Sequence, residues 1–265
     1  MVTVQRALEA GLVGLAALLA VLATTVGLSI RSAGIGLACG VVLGVAVIRY
    51  VRGRAVTLGP ADLVTFFRAT LTCAVAALVA DSYLGQPPVT LLVALAGAAL
   101  LLDAVDGIVA RLTGTASRFG AKIDGEADAF LLLVLSVYVA QSVGAWVLAI
   151  GVVRYVFSAA GWVWPWMWAQ LPYRYWRKPV TAVQGVVLVV VAAEVVAPLP
   201  MYAALGVALV LLTESFARDV LWLWRHRPSA RVGSRAASGT ASGAGSGAAD
   251  SNSTAPARRL HPGMP

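Results

Sequence analysis

The chain is 265 residues long, 60% hydrophobic and only 12% charged, with a mean hydropathy of +0.84. That balance excludes an ordinary soluble domain and puts the chain in the membrane class. A formal net charge of +8 would also suit a nucleic-acid binder. The placement of the basic residues, in alternate connections between apolar runs, assigns the charge to one side of a membrane instead.

About twenty apolar residues span a bilayer. Eight such stretches are expected, at roughly 8–29, 32–51, 62–81, 89–112, 119–141, 144–166, 179–197 and 200–224. Only Ser29 to Ser32 separate the first two. The first run has no small-residue cleavage pattern and is too long for a secretory signal, so it reads as a retained membrane helix. Arg49, Arg52 and Arg54 flank the second connection, and Arg111, Arg118 and Lys122 surround the fourth. Arg174, Arg177 and Lys178 occupy the sixth, and Arg225, Arg227 and Arg231 follow the last helix. The connections near Gln86-Pro87-Pro88, Gly144 and Pro198-Leu199-Pro200 carry no Lys or Arg, and Arg31 is the exception to the alternation. The positive-inside rule then puts both termini and the fourth connection in the cytoplasm of a multi-pass cell-membrane protein.

Cys39 and Cys73 lie in apolar runs and read as inert packing residues, not as a disulfide or zinc pair. Trp162, Trp164, Trp166, Trp168 and Trp176, with Tyr173 and Tyr175, read as an interfacial aromatic belt in preference to a stacking platform. From about Pro228 the chain turns to Ala, Gly, Ser, Thr and Pro with scattered arginines, a composition that cannot bury a core. Three regions are expected: an N-terminal helix pair over 1–55, a six-helix membrane domain over 56–226, and a disordered cytoplasmic tail over 227–265.

Chemistry concentrates between Asp103 and Asp128. Asp103 and Asp106 are three apart on one helix, and Asp124 and Asp128 are four apart on the next, so each pair shares a face. Thr113 to Arg118 fit a short turn between the two helices. An aspartate at a helix centre costs about 2.5–3.5 kcal/mol to insert, so four cost on the order of 10 kcal/mol if all sit deep. Divalent cations offset that charge, and Mg²⁺ (or Mn²⁺) suits a few carboxylates completed by water and phosphate oxygens. Four carboxylates can hold two ions, which can clamp both oxygens of a phosphoryl displacement. Gly107 and Gly120 leave room for close approach, Ala110 keeps the same face small, and Arg111 can grip a phosphate. Thr115, Ser117 and Arg118 in the turn can add phosphate or base contacts. Glu126 points about 160–200° away from the neighbouring aspartates on a helix and is not expected to be a ligand.

The spacing Asp103-x2-Asp106-Gly107-x2-Ala110-Arg111-x8-Gly120-x3-Asp124-x3-Asp128 resembles the signature of the CDP-alcohol phosphatidyltransferases, integral membrane enzymes of phospholipid synthesis. The resemblance covers about residues 56 to 224. It implies an all-α six-helix core with a polar cavity facing the cytoplasm, here preceded by two extra N-terminal transmembrane helices. It also implies two metal ions held by Asp103, Asp106, Asp124 and Asp128, with Asp128 as the general base. The stretch Pro60-Ala61-Asp62-Leu63-Val64-Thr65-Phe66-Phe67-Arg68 is similar to the family's first core helix, which implies that Asp62 and Thr65 help hold the cytidine. Asp62 also reads as the cap of a helix that begins after Pro60. Ser117 matches a position that often contacts the nucleotide, beside its reading as a plain turn residue.

The acceptor side is open. Arg154 lies inside an apolar run and needs a partner, either acceptor phosphate or Glu126. Arg174, Arg177 and Lys178 read as headgroup-facing, and Thr181 and Gln184 share one side of their helix. The expected activity is transfer of a phosphatidyl group from CDP-diacylglycerol to a small alcohol with release of CMP. The alternatives are transfer of a phosphoalcohol from a soluble CDP-alcohol to a lipid or other alcohol, an ion-coupled transporter, and an idle homologue that retains all four aspartates. A transporter accounts for the carboxylates but not for the Gly-x2-Ala-Arg spacing or Gly120. The expected partners are a CDP-alcohol, an alcohol acceptor and membrane lipid. The N-terminal pair and the tail serve dimerisation or packing, or are dispensable.

Overall fold

The protein is described here from a computed structural model, which covers residues 4–52, 58–85, 88–113, 118–164 and 177–225. These residues build eight α-helices and one 3₁₀ turn, with no strand among them. The helices are α1 Val4–Val26, α2 Ile30–Val51, α3 Pro60–Asp81, α4 Val89–Thr113, α5 Arg118–Val143, α6 Leu148–Val163, α7 Arg177–Ala192 and α8 Pro198–Arg225. Each falls on one of the eight expected apolar stretches. Helices α1, α2, α3 and α8, and residues Val89–Val109 of α4, are long and apolar enough to cross a membrane, and α6 and α7 are shorter apolar helices. The fold is an all-α, multi-pass membrane protein.

Two boundaries differ from expectation. The break between α1 and α2 falls at Gly27–Ser29, not at Ser29–Ser32. Gly27 takes a left-handed φ of 72°, which closes the turn at little cost in a residue without Cβ. Ser29 then caps α2 by accepting a hydrogen bond from the Ser32 N–H at 3.1 Å. The Asp81 carboxylate at the end of α3 accepts from the Ser29 N–H at 3.1 Å and ties this turn to the third helix. At the other end of α3, Gly59 is the N-cap residue, Pro60 opens the helix, and Asp62 caps from the third helical position, not from the N-cap itself.

Helix α3 is the axis of the bundle. It packs against α1, α2, α4 and α5, and Leu71 to Val79 is buried without interruption. Helices α5 and α7 add Leu131, Leu135 and Leu188 to the same core. Outward positions such as Val13, Val42, Leu101 and Val210 remain exposed and apolar, the pattern of a bundle whose solvent is lipid. Small residues set the closest approaches. A Cβ on Gly36 would lie 2.8 Å from the Ala77 Cβ and 2.9 Å from the Cys73 carbonyl oxygen, so α2 meets α3 backbone to backbone there. Cys73 is buried and Cys39 partly so, and both are free thiols.

Gly36→Leu is therefore expected to cost about 1–3 kcal/mol by overpacking. Thermal unfolding in detergent checks this, with Gly14→Leu as control, because Gly14 has nothing within 4 Å of its added Cβ.

Candidate active site

Helices α3, α4 and α5 meet near one end of the bundle and bring the polar residues of three sequence stretches together. On α3, Asp62, Thr65 and Arg68 follow one another at intervals of three and occupy about 120° of the circumference. The Asp62 carboxylate turns back to accept from the Gly59 N–H at 2.8 Å, one of the donors a helix start leaves unpaired. Thr65 donates across to Asp106 Oδ2 at 3.2 Å. Asp62, Thr65 and Asp106 are all buried.

Arg68 holds the centre. It is 1% exposed, and its guanidinium reaches between α4 and α5. Its Nη1 lies 3.0 Å from Asp103 Oδ1 and its Nη2 lies 3.8 Å from Asp106 Oδ2. It also forms ion pairs with Asp124 and Asp128. Nη2 donates to the Asp124 carbonyl oxygen at 3.3 Å, while the buried Nε has no partner. One guanidinium offsets one of four negative charges, so the cluster retains capacity for added cations. Carboxylate oxygens of Asp103, Asp106 and Asp124 lie within 4.8 Å of one another. Hard oxygen donors at that separation fit a divalent ion of the Mg²⁺ type. Asp128 joins the group through Arg68.

A cavity of about 510 Å³ opens beside the cluster. Asp103, Gly107, Asp124 and Asp128 form one wall, and Arg154, Thr181 and Gln184 face them from α6 and α7. Gly151 lets α6 come close, since a Cβ there would lie 2.5 Å from the Leu133 Cα on α5. One turn later, Arg154 lies over Gly125, with Nη2 3.2 Å from where a Cβ would be. Arg154 pairs with Glu126 at 3.2 Å, which answers the need for a partner and agrees with Glu126 pointing away from the face that carries Asp124 and Asp128. Gln184 is 2% exposed and its buried Nε2 has no partner.

Of the expected site residues, the structure gathers Asp103, Asp106, Asp124, Asp128 and Thr65 into one cluster, with Gly107 on the cavity wall. Asp62 lies one helical turn before Thr65, engaged with Gly59. Gly120 is half-buried in the first turn of α5. Ala110 and Arg111 lie on α4, but their side chains, like Ser117 and Thr115, fall outside the described residues, as do most of the tryptophan belt and the tail from 226 on. Arg68 was not among the expected site residues. A signal for it was present, because an arginine eight residues into an apolar span requires a partner.

The family model for CDP-alcohol phosphatidyltransferase matches residues 58–213. The chain belongs to the CDP-alcohol phosphatidyltransferase family. No curated protein and no solved structure matches it. Family membership supports transfer of a phosphatidyl group or phosphoalcohol from a CDP-alcohol to an alcohol acceptor within a membrane, as part of phospholipid synthesis. Divalent metal use is known in this family and accords with the acidic cluster. The match begins just before α3 and leaves α1 and α2 outside it.

Removing the buried Arg68 leaves one buried and three partly buried carboxylates facing one another. Arg68→Met is expected to cost about 3–5 kcal/mol in chelator, the range for breaking a buried ion pair. Added Mg²⁺ should recover much of that loss. Melting temperatures of the variant with and without Mg²⁺ check both statements.

Proposed function

We propose that the protein transfers the phosphatidyl group of CDP-diacylglycerol to a small alcohol and releases CMP. The observation that carries this reading is the shared cavity. The four aspartates line or adjoin one side of it, and a different set of polar groups, Arg154, Thr181 and Gln184, lines the other. A donor phosphate and a polar acceptor can thus meet in one space.

Asp103, Asp106, Asp124 and Asp128 would hold two divalent ions, Mg²⁺ or Mn²⁺, which when bound supply charge neutralisation at the pyrophosphate. Every other role falls to the chain. Asp62, Thr65, Gly107, Ala110, Arg111, Ser117 and Gly120 form the proposed seat of the CDP moiety. Arg111 pairs with a nucleotide phosphate, and the glycines permit close approach. Arg154, held by Glu126, and Gln184, with its unpaired amide, face the acceptor. The acceptor hydroxyl oxygen bonds to the phosphorus that carries the diacylglycerol. The bond from that phosphorus to the bridging oxygen breaks and CMP leaves with the electron pair. Asp128 takes the hydroxyl proton, as general base. Arg68 is a positioning residue that holds the aspartates of α4 and α5 to α3. The reaction domain is proposed to span 56–226, with both termini and the cavity mouth on the cytoplasmic side, where alternate connections are basic.

A CMP-release assay tests this. CDP-diacylglycerol would be offered with glycerol 3-phosphate, inositol phosphate, inositol, serine or phosphatidylglycerol. Release that depends on one acceptor and stops in chelator is expected. Silence with every acceptor, together with turnover of a soluble CDP-alcohol on diacylglycerol, would replace the donor assignment. Asp128→Asn should lower turnover by about 10²–10⁴-fold, the usual contribution of a general base, while nucleotide binding persists. Full turnover by that variant would remove the base role. Gln184→Leu should raise the KM for the acceptor and leave that for the donor near the wild-type value, measured in the same assay.

A further inference from the structure

A second cavity, of about 720 Å³, lies on the opposite side of α3 and α5 from the acidic cluster. Its α5 wall includes Lys122, Ile123, Glu126, Phe130 and Leu133, with Ala127 at its edge. On a helix these point away from the face that carries Asp124 and Asp128. The other walls come from α3, from Tyr155 of α6, and from the two helices that lie outside the family match, α1 and α2. On α2, Cys39, Leu43, Ala46 and Tyr50 line it at intervals of three and four.

Four observations identify what fills it. The size is several times that of an engineered apolar cavity of about 150 Å³, which stays dry and takes up apolar molecules. The lining is apolar along most of its length, so water is not the occupant. Along α2 it runs from Ile35 to Tyr50, which is about 22 Å at the helical rise and longer than the ~15 Å of one leaflet of a bilayer core, so an acyl chain has room to lie along it. Ile35 and Val42 line it while being 49% and 66% exposed, so it opens sideways toward lipid.

The charged end sets the headgroup. Tyr50 stacks on Phe119, with centroids 6.0 Å apart, and Lys122 Nζ lies 5.6 Å from the centre of the Tyr50 ring. The acid at this end, Glu126, is paired with Arg154. Among the described lining residues, Lys122 is therefore the charge presented to a ligand there, and it sits at the level of the first turns of α5, where a lipid phosphate would lie. We propose that this cavity holds an acyl chain of an anionic bilayer phospholipid, with its phosphate at Lys122, as a resident lipid distinct from the reacting ones. The N-terminal helix pair then has a function: it walls a lipid seat against the back of α3 and α5. The proposal needs only the membrane setting and stands apart from the transfer reaction.

Photolabelling of the full-length protein in vesicles tests it. The probe is phosphatidylglycerol with a diazirine near the middle of one chain, with the phosphatidylcholine analogue beside it. The expected label falls on α1, α2 or α5 cavity residues and is several-fold stronger for the anionic probe. Gly44→Phe should cut it at least tenfold, because a Cβ there meets only Leu8 Cδ2, at 3.9 Å, and the ring would enter the cavity. Ala46→Trp fills the cavity from an exposed position on the same stripe and should act alike. Gly14→Phe, which points into open space, should change nothing. Lys122→Met should equalise the two probes. Labelling of these positions that survives both filling variants, or that is equal for the two probes in the wild type, would overturn the proposal. So would loss of label on adding excess CDP-diacylglycerol, which would make the cavity the donor's own chain seat, or crosslinking of a second copy of the chain there.

Discussion

Four carboxylates and one guanidinium, gathered inside an apolar bundle, are the constraint on which the rest of the structure depends. Charges in such a place are costly unless opposed at short range. Arg68 opposes them from α3, with all four aspartates within 3.8 Å of its guanidinium nitrogens. That contact explains why α3 is the axis. The helix that supplies the counter-charge must touch both acidic helices, and it packs on α4 and α5 while its far faces take α1 and α2. Depth also matters. Arg68 is eight residues into α3, about 12 Å from its start, and Asp103, Asp124 and Asp128 are only partly buried. The cluster thus lies within reach of water from one end of the bundle, which reduces the penalty while leaving the site open to ions and phosphates.

The eight helices were legible because hydropathy reads directly as span, and the bilayer enforces helix on any such stretch. The errors lay in the turns. Gly27, not the serines, makes the α1–α2 break, because a left-handed residue is needed and only glycine takes it freely. Within the site, spacing along one helix showed that Asp103 pairs with Asp106 and Asp124 with Asp128. Spacing cannot show which face of a third helix meets them, so Arg68 went unassigned although the same rule drew attention to Arg154. The pairing of Arg154 with Glu126 was one of two readings, and the choice needed the crossing of α6 over α5 at Gly151. Gln184 was visible only as a polar residue on a helix face. Its meaning comes from being buried, unpaired and directed at a cavity with acids on the far wall.

Helix α5 divides the molecule into two environments. One face carries Asp124 and Asp128 toward a cavity lined by groups suited to phosphate and hydroxyl chemistry. The opposite face carries Lys122, Ile123 and Phe130 toward an apolar space. Glu126 belongs to the second face, yet its partner Arg154 lines the first cavity. The ion pair therefore crosses the helix edge and links the two sides. Arg154 and Glu126 meet at 3.2 Å, so this edge of α5 is held by an ion pair and not by apolar packing alone.

The boundary of the family match supports the same division. It starts at residue 58 and so takes in every residue of the acidic cluster, Arg154 and Gln184. It leaves out α1 and α2, which contribute none of these groups but close the far side of α3 with glycines and leucines. A polar cluster is held in a fixed geometry by rigid neighbours, and α3 is packed on both its faces. On the site face the packing is electrostatic, through Arg68. On the other face it is the α1–α2 pair, with Gly36 seated on the Cys73 carbonyl. In this chain the added helices thus bear on the acidic cluster through α3, by packing the back of the helix whose front carries Arg68.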